Sequence, residues 1–171
     1  RYHYVASNSE VTPDADGFIL PGEEKYVAQL AQQTKGVPVR ADFQLVDLAW
    51  HRLDRHVIPN FSAWSRDRLN FEISNRTHTA ALNIGPLAGR TSFDVDNRTA
   101  FGYWRVGFFV VLLRGTAPAA VNYVTLDNFE SNEHRHVDVN WFEQLAGSSS
   151  VDIRPEVNIF DPDVFMPPRA E

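Results

Sequence analysis

The sequence predicts an all-β fold, a two-sheet antiparallel β-sandwich, on three observations. Residues 101–129, FGYWRVGFFVVLLRGTAPAAVNYVTLDNF, read as two long strands joined by a short Gly/Pro-containing turn. Apolar residues alternate with polar ones elsewhere, as in Leu69, Phe71 and Ile73 against Asn70, Glu72 and Ser74. About seven to nine such segments recur at short spacing beside a single helix-like stretch, which is the pattern of a sandwich. Full barrel closure is the main architectural alternative.

Taken in order, residues 1–22 read as an extended N-terminal arm. They carry Pro13, Gly17, Pro21 and Gly22, scattered acids and little periodicity. Residues 23–34 predict one short N-terminal helix, because Tyr26, Val27, Leu30 and Ala31 fall on one face. Glu23 and Glu24 suit its positive end and Gly36 its stop. Val39, Ala41, Phe43 and Leu45 alternate as a half-buried strand. Residues 50–67 read as irregular. Strands follow at 68–74, at 80–84 before Gly85-Pro86, and at 91–95. In the long pair, Phe108 to Leu113 is apolar at every position, so both faces of that strand must be covered. Gly102 and Gly107 within it mark close packing or a bulge. Val137, Val139 and Trp141 share one side of a later strand. Gly147 and Ser148 to Ser150 form a loop, residues 151–159 supply a last extended piece, and residues 160–171 read as a proline-rich arm. The expected organisation is arm 1–22, sandwich 23–159 and arm 160–171.

Composition narrows the function. The chain has 171 residues, enough for one sizeable core. Its net charge is −6 and no basic run exists, so little direct RNA binding is expected. There is no cysteine, which excludes disulfides and thiolate metal sites. No apolar run approaches the roughly 20 residues of a membrane helix, so no membrane partner is expected. Lysine occurs only at positions 25 and 35, and the remaining basic residues are Arg. Arginine favours planar ion pairs at protein interfaces, although genomic base composition gives the same bias.

Four constellations carry chemistry. His134, His136 and Asp138 project to one face of a strand and are the metal candidates, but a solvated polar face opposite Val137, Val139 and Trp141 is the favoured reading. A third reading of these histidines is a pH-responsive patch. His51 and His56 lie near Asp47 and Asp54, yet no Gly-x-Ser-x-Gly elbow accompanies them, so no catalytic residue is assigned. Among the tryptophans, Trp50 and Trp64 flank the irregular segment and are the candidates for stacking on a ligand. Asn60, Asn75 and Asn97 begin glycosylation-type tripeptides that read as unmodified surface loops. No cofactor is implied.

The order of these features resembles the jelly-roll coat proteins of picorna-like viruses. The resemblance rests on Trp64 through Gly85, on Gly102 through Leu113 with Thr116-Ala-Pro and Val121 through Leu126, and on the ending Ile159 through Pro168. It covers roughly residues 37–168 and consists of alternation, turn placement and length. The ending is similar to that of small coat subunits from plant-infecting members, and Ala170-Glu171 suits release from a polyprotein. The resemblance implies a viral jelly roll, a structural capsid protein assembled in host cytoplasm with sibling subunits into an icosahedral virion. The typical basic interior arm is absent. The implied subunit interface is Phe108, Phe109, Val110, Val111, Leu112 and Leu113 with Arg105 and Arg114, and further Arg at 66, 68 and 98. A host receptor is a possible partner. The alternatives are a receptor- or glycan-binding β-sandwich using Trp50 and Trp64, and a hydrolase domain.

Overall fold

The computed structural model describes residues 2–6, 9–11, 16–28, 30, 40–43, 45–84, 87–142, 147 and 150–167. The chain divides into two compact units, Arg1–Asp54 and Arg55–Glu171. The expected boundary at residue 22 is therefore replaced by one at residue 54.

The first unit holds β1 (Tyr2–Ala6), β2 (Ser9–Val11) and β3 (Arg40–Phe43) in an antiparallel sheet of order β2-β1-β3. Tyr4 pairs with Val11 on one side and with Ala41 on the other. The sequence expected a strand around Ala41 and Phe43, and it is there; Val37, Val39 and the arm residues 12–15 lie outside the described residues. The helix expected over 23–34 is not formed where it is described, at 23–28 and 30. Instead the chain turns at Pro21-Gly22, with Gly22 at φ 76°, and Lys25 reaches back to Phe18. Its ammonium sits 3.8 Å from the Phe18 ring centre and donates to the Phe18 carbonyl at 2.8 Å. A helix of about twelve residues is marginal without a packed face. Here Leu20 is the buried residue while Val27 and Leu30 stay exposed.

The second unit is a β-sandwich. A helix, α1 (Phe61–Leu69), precedes β4 (Phe71–Ile84), β5 (Leu87–Asn97), β6 (Tyr103–Arg114), β7 (Ala117–Phe129), β8 (His134–Trp141) and β9 (Ser150–Glu156). The two antiparallel sheets run β4-β5-β8 and β7-β6-β9. These described strands are two short of the eight of a jelly roll. The strands expected at 68–74 and 80–84 are one continuous β4, kinked between Ser74 and Thr77 where Asn75 takes φ 51°. That extra residue in the ladder is a β-bulge, and Asn tolerates the left-handed conformation it needs.

The one helix arises in the segment read as irregular. Asn60 caps it by accepting from the Ala63 amide at 3.1 Å. None of its residues is buried, so it carries no apolar stripe for a sequence reading to detect.

The core lies between the sheets. Phe71 of β4 stacks with Phe129 of β7 at 6.1 Å between ring centres, and Phe93 of β5 meets Phe108 of β6 at 6.4 Å. Val95, Val106, Val110, Leu112, Val137, Val139 and Ile153 complete it. Both faces of β6 are covered, as its unbroken apolar run requires. Tyr123 lies across Gly107 so closely that a Cβ there would overlap its hydroxyl, and it packs on Phe109 at 4.9 Å.

The C-terminal arm expected at 160–171 is part of the sandwich as far as it is described. Phe160 stacks on Trp64 at 5.0 Å, and Phe165 packs on Phe101 and Tyr103. The Met166 amide donates to the Gly102 carbonyl at 2.8 Å, and Met166 fills the space a Cβ on Gly102 would take. Aromatic side chains at 160 and 165 anchor the tail, which is why it does not extend away. Among the described residues no helix is long and apolar enough to cross a membrane.

Candidate functional site: a histidine and aspartate face

The outer face of sheet β4-β5-β8 carries a row of histidine and aspartate side chains. Strand alternation puts Val137, Val139 and Trp141 inside, and His134, His136 and Asp138 outside. On the adjacent β5, Thr91, Phe93, Val95 and Asn97 face inward, so Ser92, Asp94 and Asp96 share the outer face. The antiparallel register then pairs Asp94 with His136, Asp96 with His134, and Ser92 with Asp138.

These pairs are in contact. His136 Nδ1 lies 2.6 Å from Asp94 Oδ1, and its Nε2 lies 3.7 Å from Asp138. His134 Nδ1 is 3.3 Å from Asp96, and the Ser92 hydroxyl donates to Asp138. Asn75, presented by the β4 bulge, donates its amide to the other Asp94 oxygen at 2.6 Å. Arg98 closes the row, 3.0 Å from Glu72 and 3.7 Å from Asp96. The Asn75 amide, and then His136, hold the Asp94 carboxyl below 3.8. The hydrogen bond that His136 donates to the Asp94 carboxylate raises its pKa above 6.5.

No group of three His, Cys, Asp or Glu among the described residues is placed to hold an ion. Both nitrogens of His136 already face carboxylates, and His134 and His136 lie two residues apart along a flat strand rather than converging. The arrangement is a cross-strand electrostatic ladder.

A second histidine behaves oppositely. His78 of β4 sits against Thr91, whose hydroxyl lies 3.0 Å from His78 Nδ1 and accepts from the Trp141 indole at 2.9 Å. His78 Nε2 is buried without a hydrogen-bond partner, and burial lowers its pKa below 6.5.

The signs follow from linkage. His136 binds its proton more tightly folded, so its contribution is complete below pH 6.5 and is lost as pH rises through its raised folded pKa. Asp94 contributes above 3.8, and loses that contribution as pH falls through its lowered value. His78 is depressed, so acidification below 6.5 destabilises the fold through it. Urea midpoints across pH 4.5–8.5 are expected to show His136→Gln destabilising at acidic pH and converging on wild type at alkaline pH. His78→Gln is expected to remove an acid-side loss. Parallel curves for all three proteins would refute both assignments.

The other sequence candidates separate. Phe108, Val110 and Leu112 face the core, and Phe109 and Val111 are also buried within the chain. Leu113 is partly covered, whereas Arg105 and Arg114 are exposed at the two ends of β6. Arg105 is paired with Asp127 at 2.6 Å. Trp64 is taken up by Phe160 on one side and by Arg68, 4.2 Å from its ring centre, so it is no open stacking platform. Trp50 is 84% exposed in the first unit. His51 and His56 are exposed and outside any catalytic grouping described here. Asn97 is fully buried and hydrogen-bonded, so its tripeptide is not a surface acceptor.

No protein-family model, curated protein sequence or solved structure matches this chain.

Proposed function

We propose that the chain is a structural assembly subunit of the coat-protein kind, working by burying surface against like or sibling chains in a virion shell. One observation carries the reading. Leu45, Val46, Leu48 and Trp50 are all exposed, four large apolar side chains within six residues. Clustered exposed apolar side chains mark protein association sites. This moves the adhesive surface from the β6 run to the segment before the sandwich. Full burial of each such side chain contributes about 1.5–3 kcal/mol. The open sandwich adds edge strands, since β4, β8, β7 and β9 each have one paired neighbour among the described strands.

Mass photometry of the purified chain, alone and with co-expressed sibling chains, tests the proposal. Discrete oligomers or shells are expected. Trp50→Ala is expected to weaken association about 30-fold or more, as an aromatic anchor of about 2 kcal/mol does. A monomer at tens of micromolar both alone and with siblings, or an assembly indifferent to Trp50→Ala and Leu48→Ala together, would sink it.

A further inference from the structure

An open cleft of about 460 Å³ lies in the second unit, between the last turn of α1 and the β5–β6 loop. Its lining is Arg66, Asp67, Arg68 and Asn70 on one side, with Arg98, Thr99, Ala100 and Phe101 on the other. Volumes of this size are those of small-molecule sites.

The arginines differ in what they have left to give. Arg98 is engaged by Glu72 and Asp96. Arg68 faces no carboxylate among the described residues. Its guanidinium is held between the Trp64 ring at 4.2 Å and the Phe101 ring at 4.8 Å, and one nitrogen donates to the Trp64 carbonyl at 3.0 Å. Arg66 makes no ion pair or hydrogen bond with a described residue. The side chains of Asp67 and Asn70 are likewise uncommitted among the described residues. The negative end of α1, which would repel an anion, is blunted because the Tyr103 hydroxyl donates to the Arg68 carbonyl.

Among the described residues the cleft therefore offers two arginines without carboxylate partners, one of them pre-oriented by aromatic rings, beside an uncommitted carboxylate and an uncommitted amide. A guanidinium recognises an oxyanion through two parallel N–H donors. A carboxylate next to them rejects a bare anion and is satisfied by hydroxyl donors. We infer that this cleft binds a small hydroxylated anion, a sugar carrying a carboxylate or phosphate group, with the oxyanion on the Arg66 guanidinium and hydroxyls on Asp67 and Asn70. The inference uses the second unit alone and stands apart from the assembly reading, which rests on residues 45–50.

Titration calorimetry and side-chain NMR of the full chain with glucuronate, glucose 6-phosphate, glucose and inorganic phosphate test it. Either anionic sugar is expected to bind at least 10-fold tighter than glucose and than inorganic phosphate. The carboxylate and phosphate arms identify which oxyanion the site takes. Arg66→Ala and Arg66→Lys are expected to weaken that binding at least 10-fold. Asp67→Asn is expected to narrow the gap between the anionic sugar and inorganic phosphate. Circular dichroism confirms that each variant folds, and Arg66→Lys serves if Arg66→Ala does not. Equal binding of glucose, equal binding of inorganic phosphate, indifference to both Arg66 variants, or no binding at millimolar sugar would each overturn the inference.

Discussion

Asn97→Ala is expected to remove about 3–5 kcal/mol from the second unit, the range for breaking a buried hydrogen-bond network. Asn97 has no exposed surface, yet every polar atom of its side chain is used. Its amide nitrogen donates to the carbonyls of Phe101 and Glu130, both at 2.8 Å. Its side-chain oxygen accepts from the Thr99 amide at 3.1 Å and the Thr99 hydroxyl at 2.8 Å. Its backbone closes the turn after β7, donating to Glu133 and accepting from Asn132 at 2.9 Å each. One residue thus ties the β5–β6 loop to the β7–β8 turn. Alanine leaves the Thr99 amide without its partner and takes one of two partners from each of the Phe101 and Glu130 carbonyls, in a site closed to bulk water. Small domains have only about 5–15 kcal/mol in total, so the urea midpoint falls by about a fifth or more. Asn97→Asp keeps the acceptor but places a negative charge against two carbonyls, so its deficit grows with rising pH. A loss under about 1 kcal/mol for Asn97→Ala would mean that water reaches this site in the native state.

Phe108→Ala is expected to cost about 3–5 kcal/mol, the usual range for a large aromatic removed from a core. Phe108 has no exposed surface and lies between the sheets, 5.8 Å from Phe71 and 6.4 Å from Phe93. Both neighbours belong to the opposite sheet, so the cavity opens at the seam and cannot be closed by one strand alone. Trp104→Ala, four positions earlier on the same strand, is the control. Trp104 is 50% exposed, and its loss is expected to change stability by about 0.5 kcal/mol or less. Thermal unfolding of both variants tests whether burial, rather than aromatic bulk, sets the loss. Comparable losses would show that the inward set has been misassigned.

Much of the sandwich was legible because period two is a local signal. Val137, Val139 and Trp141 against His134, His136 and Asp138 state which side of β8 is wet before any partner is known. The same logic read β6 as covered on both faces. What alternation does not contain is register. Asp94 and Asp96 complete the histidine face only because β5 lies beside β8, and nothing local specifies that neighbour. The pattern Ser92, Asp94, Asp96 against Phe93 and Val95 was a usable hint of a wet face, not of its partner. The helix reading failed in both directions for one reason. Residues 23–34 have an apolar face, but the Pro21-Gly22 turn and Lys25 over Phe18 compete with it. Residues 61–69 lack such a face, and α1 is instead capped by Asn60 and covered at Trp64 by Phe160 from the far end of the chain. Likewise the adhesive role expected of Phe108 to Leu113 ignored that a long apolar strand is first claimed by its own fold.

The pairing of β6 has a temporal consequence. Its first partner, β7, follows at once through the Gly115-Thr116 turn, and Phe108 meets Val124 in a local hairpin. Its second partner, β9, is reached only when Phe108 meets Pro155. During synthesis, a strand in which every residue from Val106 to Leu112 ends up buried waits with one bare edge while the rest of the sandwich is made. Late, long-range pairing of this kind is slow and leaves an aggregation-prone edge exposed. The ribosome, and whatever shields nascent chains beside it, therefore handles this molecule at its stickiest just before β9 emerges.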